Sequence, residues 1–128
     1  MDENKKANIV YIEDDTDMID LVRLVLGRGQ YNLVGATTGK QGLDLMIQNP
    51  PDLVLLDIML PDMGGWAVYQ QIKLDPLLQD IPVIAVTAQN APIDRILGEH
   101  IAKVQAYVTK PFSPKELRAT VKEVLYLT

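Results

Sequence analysis

The stretch Pro51-Asp52-Leu53-Val54-Leu55-Leu56-Asp57 decides the fold class of this chain. Its four consecutive aliphatic residues are typical of a strand in a parallel sheet that is covered by helices on both faces. The preceding Asn49-Pro50-Pro51 ends any helix before the strand, because proline lacks the backbone N–H that a helix interior requires. Asp57 follows the strand directly, and in parallel sheets ligands bind beyond the carboxyl ends of the strands.

Apolar strands and amphipathic helices alternate outward from this run in both directions. The pattern predicts strands over 8–12, 31–36, 53–56, 81–86 and 107–109, and helices over 16–29, 39–48, 66–74 and 93–104. A last helix is predicted after Ser113, an N-cap residue with proline at the first helical position behind it. This strict alternation predicts an α/β fold with a doubly wound five-stranded parallel sheet. We expect a disordered polar tail over 1–7 and one domain over 8–128.

The composition is that of one ordinary globular domain and disfavours several classes of protein. Hydrophobic residues make up 48% of the 128 residues and charged residues 23%, which argues against a disordered chain. Because the chain has no cysteine and a formal net charge of −5, a disulfide scaffold, a thiolate metal site and a DNA-backbone-binding surface are disfavoured. The polar N-terminus lacks the apolar segment of a signal peptide, and no apolar run is long enough to span a bilayer. We therefore expect a cytoplasmic protein.

Chemically useful residues follow four of the five predicted strands. They are Glu13, Asp14 and Asp15 after the first strand, Asp57 after the third, Thr87 and Ala88 after the fourth, and Lys110 after the fifth. Because the carboxyl ends of parallel strands meet at one edge of the sheet, we expect these residues to lie together. Clustered carboxylates repel one another unless a cation neutralises them. Mg²⁺ is such a cation, because it binds carboxylate oxygens and keeps several of its waters. Asp15 has an equally good explanation as the N-cap of the following helix.

Four stretches around these residues resemble the receiver domain of two-component response regulators. They are VYIEDD (10–15), PDLVLLDIMLP (51–61), IPVIAVTA (81–88) and YVTKPF (107–112). The resemblance extends over residues 8 to 127, and each of the four stretches includes the end of a predicted strand. It implies a (βα)5 fold of the flavodoxin or CheY-like type, with strand order 2-1-3-4-5.

The resemblance also implies a role for each of these residues. The phospho-acceptor is expected to be Asp57. The groups expected to hold Mg²⁺ are Glu13, Asp14, Asp57 and the backbone carbonyl of Met59. The groups expected to bind the phosphoryl oxygens are Thr87, the backbone of Ala88 and Lys110. The residues expected to switch conformation are Thr87 and Tyr107, and the peptide bond between Lys110 and Pro111 is expected to be cis.

The resemblance implies a signalling switch that phosphorylates and dephosphorylates itself, and we expect no other enzymatic activity. The resemblance implies that a sensor histidine kinase or phosphotransfer protein supplies the phosphoryl group. It also implies that the face of the fourth helix, fifth strand and fifth helix binds a downstream target. We expect no direct nucleic acid or membrane partner, and a monomer or a weak phosphorylation-dependent dimer. The segment Ile101-Ala102-Lys103-Val104-Gln105-Ala106 lacks the glycine that receivers usually carry there, so partner specificity on this face is expected to differ.

Two other functions fit parts of the pattern. A phosphatase of the haloacid-dehalogenase type also uses an aspartate nucleophile after a strand, but it needs a second aspartate where this chain has Met59. It also needs an acidic pair late in the sheet, where strand four ends in Thr87. A nucleotide- or flavin-binding module would require a glycine-rich turn after the first strand, whereas Glu13-Asp14-Asp15 would repel a phosphate there without a metal.

Overall fold

A computed structural model of the protein describes residues 6–27, 30–88 and 104–126. Five parallel strands form one sheet, and their bounds are β1 Ala7–Ile12, β2 Tyr31–Ala36, β3 Leu53–Asp57, β4 Val83–Ala88 and β5 Ala106–Lys110. The helices are α1 Thr16–Leu26, α2 Gly39–Gln48, α3 Gly65–Leu74 and α4 Pro114–Tyr126. The strand order is β2-β1-β3-β4-β5, which confirms the predicted doubly wound sheet. The fourth predicted helix, over 93–104, falls almost entirely outside the described residues. The label α4 therefore denotes the fifth predicted helix, the one after Ser113.

Several boundaries differ from the prediction for local reasons. The first helix ends at Leu26 rather than at residue 29, because Gly27 takes a left-handed φ of 82° and donates its N–H to the carbonyl of Leu24. The fourth strand begins at Val83 rather than at residue 81, since the N–H of Ile81 closes a turn onto the carbonyl of Leu78. The strand β1 begins at Ala7, and the division into a tail over 1–7 and a domain over 8–128 stays a prediction.

The core consists of two apolar layers, one on each face of the sheet. Leu53 and Leu55 of β3 belong to the layer packed by α1 and α4, and Val54 and Leu56 belong to the layer packed by α2 and α3. All five residues of β3 are buried, as expected for the central strand of a two-sided parallel sheet. Full burial of each such aliphatic side chain contributes about 1.5 to 3 kcal/mol.

Strand register brings the predicted site residues to one edge of the sheet. Ile12 pairs with Leu56, so Glu13 and Asp57 follow neighbouring positions of adjacent strands. Ala88 pairs with Lys110, so the ends of β4 and β5 also lie side by side. Asp57, Ala88 and Lys110 are the last residues of their strands rather than the first residues beyond them, because the parallel pairing continues through them.

The described helices are all too short or too polar for a lipid bilayer. Across the part of the chain that the structure describes, no helix is long and apolar enough to cross a membrane.

Candidate functional site

Asp57 lies at the centre of the site and is held from two sides. It is only 4% exposed, and its Oδ1 accepts a hydrogen bond of 3.0 Å from the N–H of Met59. Its Oδ2 lies 3.5 Å from the Nζ of Lys110. The N–H of Ile58 still bonds to the carbonyl of Val86, so the backbone leaves the sheet only after the aspartate. The side chain is therefore fixed at the edge of the sheet, because Asp57 is still part of β3.

The loop after Asp57 turns sharply into α3, and Gly65 permits that turn. The N–H of Gly65 donates to the carbonyl of Ile58 at 2.9 Å, so the helix begins directly against the acceptor strand. A Cβ atom at position 65 would stand 2.5 Å from the Cα of Ile58 and 2.6 Å from the carbonyl oxygen of Asp57. Both distances are far below a normal contact, so only glycine fits without moving the backbone that carries the aspartate.

Asp62 ties the same loop to a neighbouring helix. Its carboxylate accepts hydrogen bonds from the N–H groups of Gly39 at 2.9 Å and of Lys40 at 3.2 Å, at the start of α2. The N–H of Gly39 is the main reason that the pKa of Asp62 lies below its usual value, since the bond favours the ionised form. Sequence analysis did not identify this residue, because its partners lie more than twenty positions away.

Glu13 is the most deeply buried acidic residue among those described. Its Oε1 lies 2.5 Å from the Nζ of Lys110 and accepts a hydrogen bond of 3.2 Å from the hydroxyl of Tyr11. Its Oε2 is buried and has no hydrogen-bond partner within the described ranges. Burial and the neighbouring Asp57 raise the pKa of Glu13 from 4.5 to about 8, while Lys110 acts in the opposite direction.

Lys110 is the cation shared by these carboxylates. Burial acts to lower its pKa, but the hydrogen bond to Glu13 and the negative charge of Asp57 outweigh burial and raise it. The lysine therefore stays protonated at neutral pH and carries positive charge into the site. The Lys110-Pro111 peptide bond is cis, as predicted.

Asp14 completes a group of three carboxylates. One oxygen each from Glu13, Asp14 and Asp57 lie within 4.8 Å of one another, and Asp14 is exposed to solvent. The ligand atoms are all oxygens, and Oε2 of Glu13 is buried with no donor among the described residues. These features fit a hard divalent cation such as Mg²⁺. Asp15 does not share this arrangement, because its Oδ1 caps α1 by accepting from the N–H groups of Asp17 and Met18.

The remaining predicted residues lie along β4 and β5. Thr87 is buried and Ala88 is exposed at the end of β4, beside Lys110. Tyr107 is half-buried, pairs with Ala85 in the sheet and packs against the apolar layer of α2 and α3. Thr87 and Tyr107 point to the same face, since Ala85 and Thr87 are two residues apart on one strand. The side chain of Met59 is 63% exposed, and the role of its carbonyl stays a prediction.

Tyr11 belongs to the site although sequence analysis treated it as an ordinary apolar strand residue. Its ring is fully buried and its hydroxyl contacts Glu13. Burial, followed by the charge of Glu13, raises the pKa of the phenol well above its usual value. The available signal was its position two residues before Glu13, because side chains two positions apart in an extended chain point to the same side.

Comparison with known proteins gives consistent matches along most of the chain. The family model described as response regulator receiver domain matches residues 9–122. The probable transcriptional regulator ycf27 of Guillardia theta is 37% identical over 128 residues, covering 100% of this chain and 49% of that protein. The alkaline phosphatase synthesis transcriptional regulatory protein PhoP of Bacillus subtilis (strain 168) is 34% identical over 122 residues, covering 95% of this chain and 49% of that protein. The chain therefore spans about half the length of the curated relatives that it matches.

Solved structures show the same fold. A CheY-like response regulator receiver domain protein from Methanospirillum hungatei JF-1 superimposes with a TM-score of 0.81 at 31% identity, covering 94% of each chain. The chemotaxis protein CheY4 of Vibrio cholerae gives a TM-score of 0.86 at 21% identity, covering 94% of this chain and 100% of that one. The second likeness supports the fold alone.

Proposed function

The chain belongs to the response regulator receiver domain family, and we propose that it acts as a switch in which Asp57 accepts a phosphoryl group. The observation that carries this proposal is the position of Asp57, a nearly buried carboxylate that lies 3.5 Å from the Nζ of Lys110 and is grouped with the carboxylates of Glu13 and Asp14. Receiver domains work with histidine kinases and downstream effectors.

The reaction is a nucleophilic displacement at phosphorus. One carboxylate oxygen of Asp57 attacks the phosphorus of a phosphohistidine, a P–O bond forms, the P–N bond breaks and the imidazole leaves. The product is an acyl phosphate on Asp57. Lys110 offsets negative charge on the phosphoryl oxygens, and the hydroxyl of Thr87 and the backbone of Ala88 supply hydrogen bonds to them. Hydrolysis of the acyl phosphate then resets the switch.

A divalent cation is the cofactor that this site fits, and we propose Mg²⁺. Glu13, Asp14, Asp57 and the carbonyl of Met59 would hold it, with Glu13 acting directly or through a water molecule. When bound, Mg²⁺ neutralises charge on the carboxylates and on the phosphoryl group.

The two other functions have weaker support. A haloacid-dehalogenase phosphatase needs an acid or base two residues after the nucleophile, and Met59 has no titratable group. A phosphate-binding turn after β1 would have to contain Glu13 and Asp14, whose charges oppose a phosphate. We therefore propose a switch without a separate substrate turnover.

Partners and location follow from the same proposal. A sensor histidine kinase or phosphotransfer protein would supply the phosphoryl group, and a downstream protein would read the phosphorylated state. A net charge of −5 disfavours direct contact with nucleic acid, although the relatives named above are transcriptional regulators. We propose a cytoplasmic protein that is monomeric or forms a weak phosphorylation-dependent dimer.

Phosphorylation by a small donor tests the acceptor. Incubation with acetyl phosphate or phosphoramidate and Mg²⁺ is expected to add one phosphate, stable to acid and labile to base, that intact-mass spectrometry counts. Asp57→Asn is expected to abolish most of the incorporation, whereas Asp44→Asn, an equal charge change on the exposed surface of α2, is expected to leave it unchanged. Undiminished labelling of the Asp57 variant would overturn the assignment.

A further inference from the structure

The hydroxyl of Tyr11 is a buried polar group inside an otherwise apolar layer. The tyrosine is 0% exposed and packs among aliphatic residues of β3, α1 and α4. A buried hydroxyl without a partner is costly, and that of Tyr11 is satisfied by Oε1 of Glu13 at 3.2 Å. Because Tyr11 lies in β1 only two residues before Glu13 and its ring is fully buried, the hydroxyl has little freedom to move.

The two oxygens of Glu13 have different surroundings. Oε1 receives two donors, the phenol of Tyr11 and the ammonium of Lys110. Oε2 is buried and receives no donor from the described residues. Two donors that converge on one oxygen fix the rotation of the carboxylate, and they leave the other oxygen as the acceptor for an incoming cation or its water.

We propose that Tyr11 is a positioning residue for the metal site, because it holds Oε1 of Glu13 and so directs Oε2 toward the divalent cation. This inference rests on the proposed function, since it assumes that Glu13 contributes to a metal site. Groups that orient a ligand through its second atom commonly affect metal affinity although they never contact the metal. Lys110 cannot perform this task alone, because it is also drawn toward Asp57 and is needed there by a phosphoryl group.

A role in packing alone makes a different prediction. The ring of Tyr11 would fill the same space as phenylalanine, so a packing role does not require the hydroxyl. Tyr31 provides a matched control, because it is also buried, belongs to the same apolar layer and lies at the start of β2, at the opposite edge of the sheet. Removal of the Tyr31 hydroxyl therefore tests the loss of a phenol in this layer without disturbing Glu13.

The test measures cation affinity of the unphosphorylated protein by isothermal titration calorimetry with Mg²⁺. Mn²⁺, another cation of carboxylate sites, extends the titration to weaker variants by electron paramagnetic resonance. Tyr11→Phe is expected to raise the dissociation constant about fivefold, the effect of losing one hydrogen bond. Tyr31→Phe is expected to stay within about twofold of the wild type, as normal for a group outside the site. Thermal unfolding without metal verifies that both variants are folded.

A double-mutant cycle with Glu13→Gln separates positioning from a general structural effect. If Tyr11 acts through the carboxylate, Tyr11→Phe is expected to cause little further loss of affinity in the Glu13→Gln background. An equal loss in both backgrounds overturns the inference, and so does a wild-type affinity in Tyr11→Phe. If the wild type itself binds no divalent cation, the metal role in the proposed function fails and this inference falls with it.

Discussion

The Nζ of Lys110 lies 2.5 Å from Oε1 of Glu13, although 97 residues separate the two in the chain. The same nitrogen is 3.5 Å from Oδ2 of Asp57, so the lysine is nearer to the glutamate than to the acceptor. A phosphoryl group on Asp57 would bring further anionic oxygens next to Lys110 and compete with Glu13 for it. Lys110 therefore links the carboxylate of Glu13 with that of Asp57, the proposed phospho-acceptor.

Glu13 is expected to make metal-free stability depend on pH. Its pKa is raised from 4.5 to about 8 in the folded protein, so between these values the folded state binds more protons than the unfolded state. The free energy of unfolding should therefore fall as pH rises from about 5 to about 8, by at most about 1.4 kcal/mol per pH unit.

Urea unfolding in EDTA across this pH range measures the effect. The difference between the wild type and Glu13→Gln isolates the contribution of this side chain, because all other titrating groups are common to both. A difference that does not change between pH 5 and pH 8 would contradict the raised pKa.

Asp14→Asn is expected to have opposite effects on stability with and without metal. The Asp14 carboxylate has an oxygen within 4.8 Å of oxygens of Glu13 and Asp57, and at that distance like charges repel by about 1 kcal/mol in water. The metal-free variant should be more stable than the wild type by roughly this amount, whereas Mg²⁺ should stabilise the variant less.

Chemical unfolding in EDTA and in excess Mg²⁺ gives the free energy of unfolding without metal and with it. Asp80→Asn, the same charge change at an exposed position in the turn before β4, should alter neither. Equal stabilisation of the wild type and Asp14→Asn by Mg²⁺ would remove Asp14 from the metal site.

Gly65→Ala is expected to displace the acceptor strand. The new methyl group would clash with the backbone of Asp57 and Ile58, at 2.6 and 2.5 Å, and overpacking of this kind costs about 1 to 3 kcal/mol. The variant should be less stable and should accept phosphate more slowly. Gly35→Ala is the control, because the nearest atoms to its methyl group belong to the flexible side chain of Ile19 rather than to the backbone of the acceptor strand.

NMR distinguishes the two glycine variants. Gly65→Ala should shift the amide resonance of Met59, whose N–H bonds to Asp57, whereas Gly35→Ala should leave it in place. An unchanged phosphorylation rate in Gly65→Ala would show that the close packing at α3 does not position the acceptor.

The proposed switch is expected to carry a change at Asp57 as far as Tyr107. A phosphoryl group should draw the hydroxyl of Thr87 toward it, and Tyr107, two positions away on the same face of the sheet, can then occupy the released space. Beryllofluoride, a phosphoryl mimic, should shift the NMR resonances of Thr87, Tyr107 and residues 93–104. In Thr87→Ala the resonance shifts should stay confined to the loops around Asp57. If the shifts in the wild type are confined to the same loops, Tyr107 does not switch.

Local sequence patterns predicted the parallel sheet and its covering helices, whereas the strand order came from the resemblance to receiver domains. The aliphatic run before Asp57 indicates a central strand buried on both faces, and alternation with amphipathic helices indicates the doubly wound sheet. Ser113 was predicted as an N-cap, and its hydroxyl accepts from the N–H of Glu116 at 3.0 Å. These features depend on residues a few positions apart, so periodicity and capping rules can recognise them.

The same reasoning predicted which strand ends meet, because parallel strands share one carboxyl edge. Asp57, Thr87 and Lys110 could therefore be expected to lie together before any distance was known. Their individual roles came from the resemblance to receiver domains and stay proposals.

The partner of each side chain within the site depends on the folded structure. The pairing of Lys110 with Glu13, the hydrogen bond from Tyr11 and the attachment of Asp62 to α2 all depend on strand register, rotamer and burial. The need for glycine at position 65 likewise arises from the close approach of the backbone of Asp57 and Ile58 at the end of β3. Hydrophobic periodicity reports which face of an element is buried, but it carries no information on which atoms face each other across the core. Packing of the assembled elements sets those distances, and they determine which oxygen of Glu13 has no donor among the described residues.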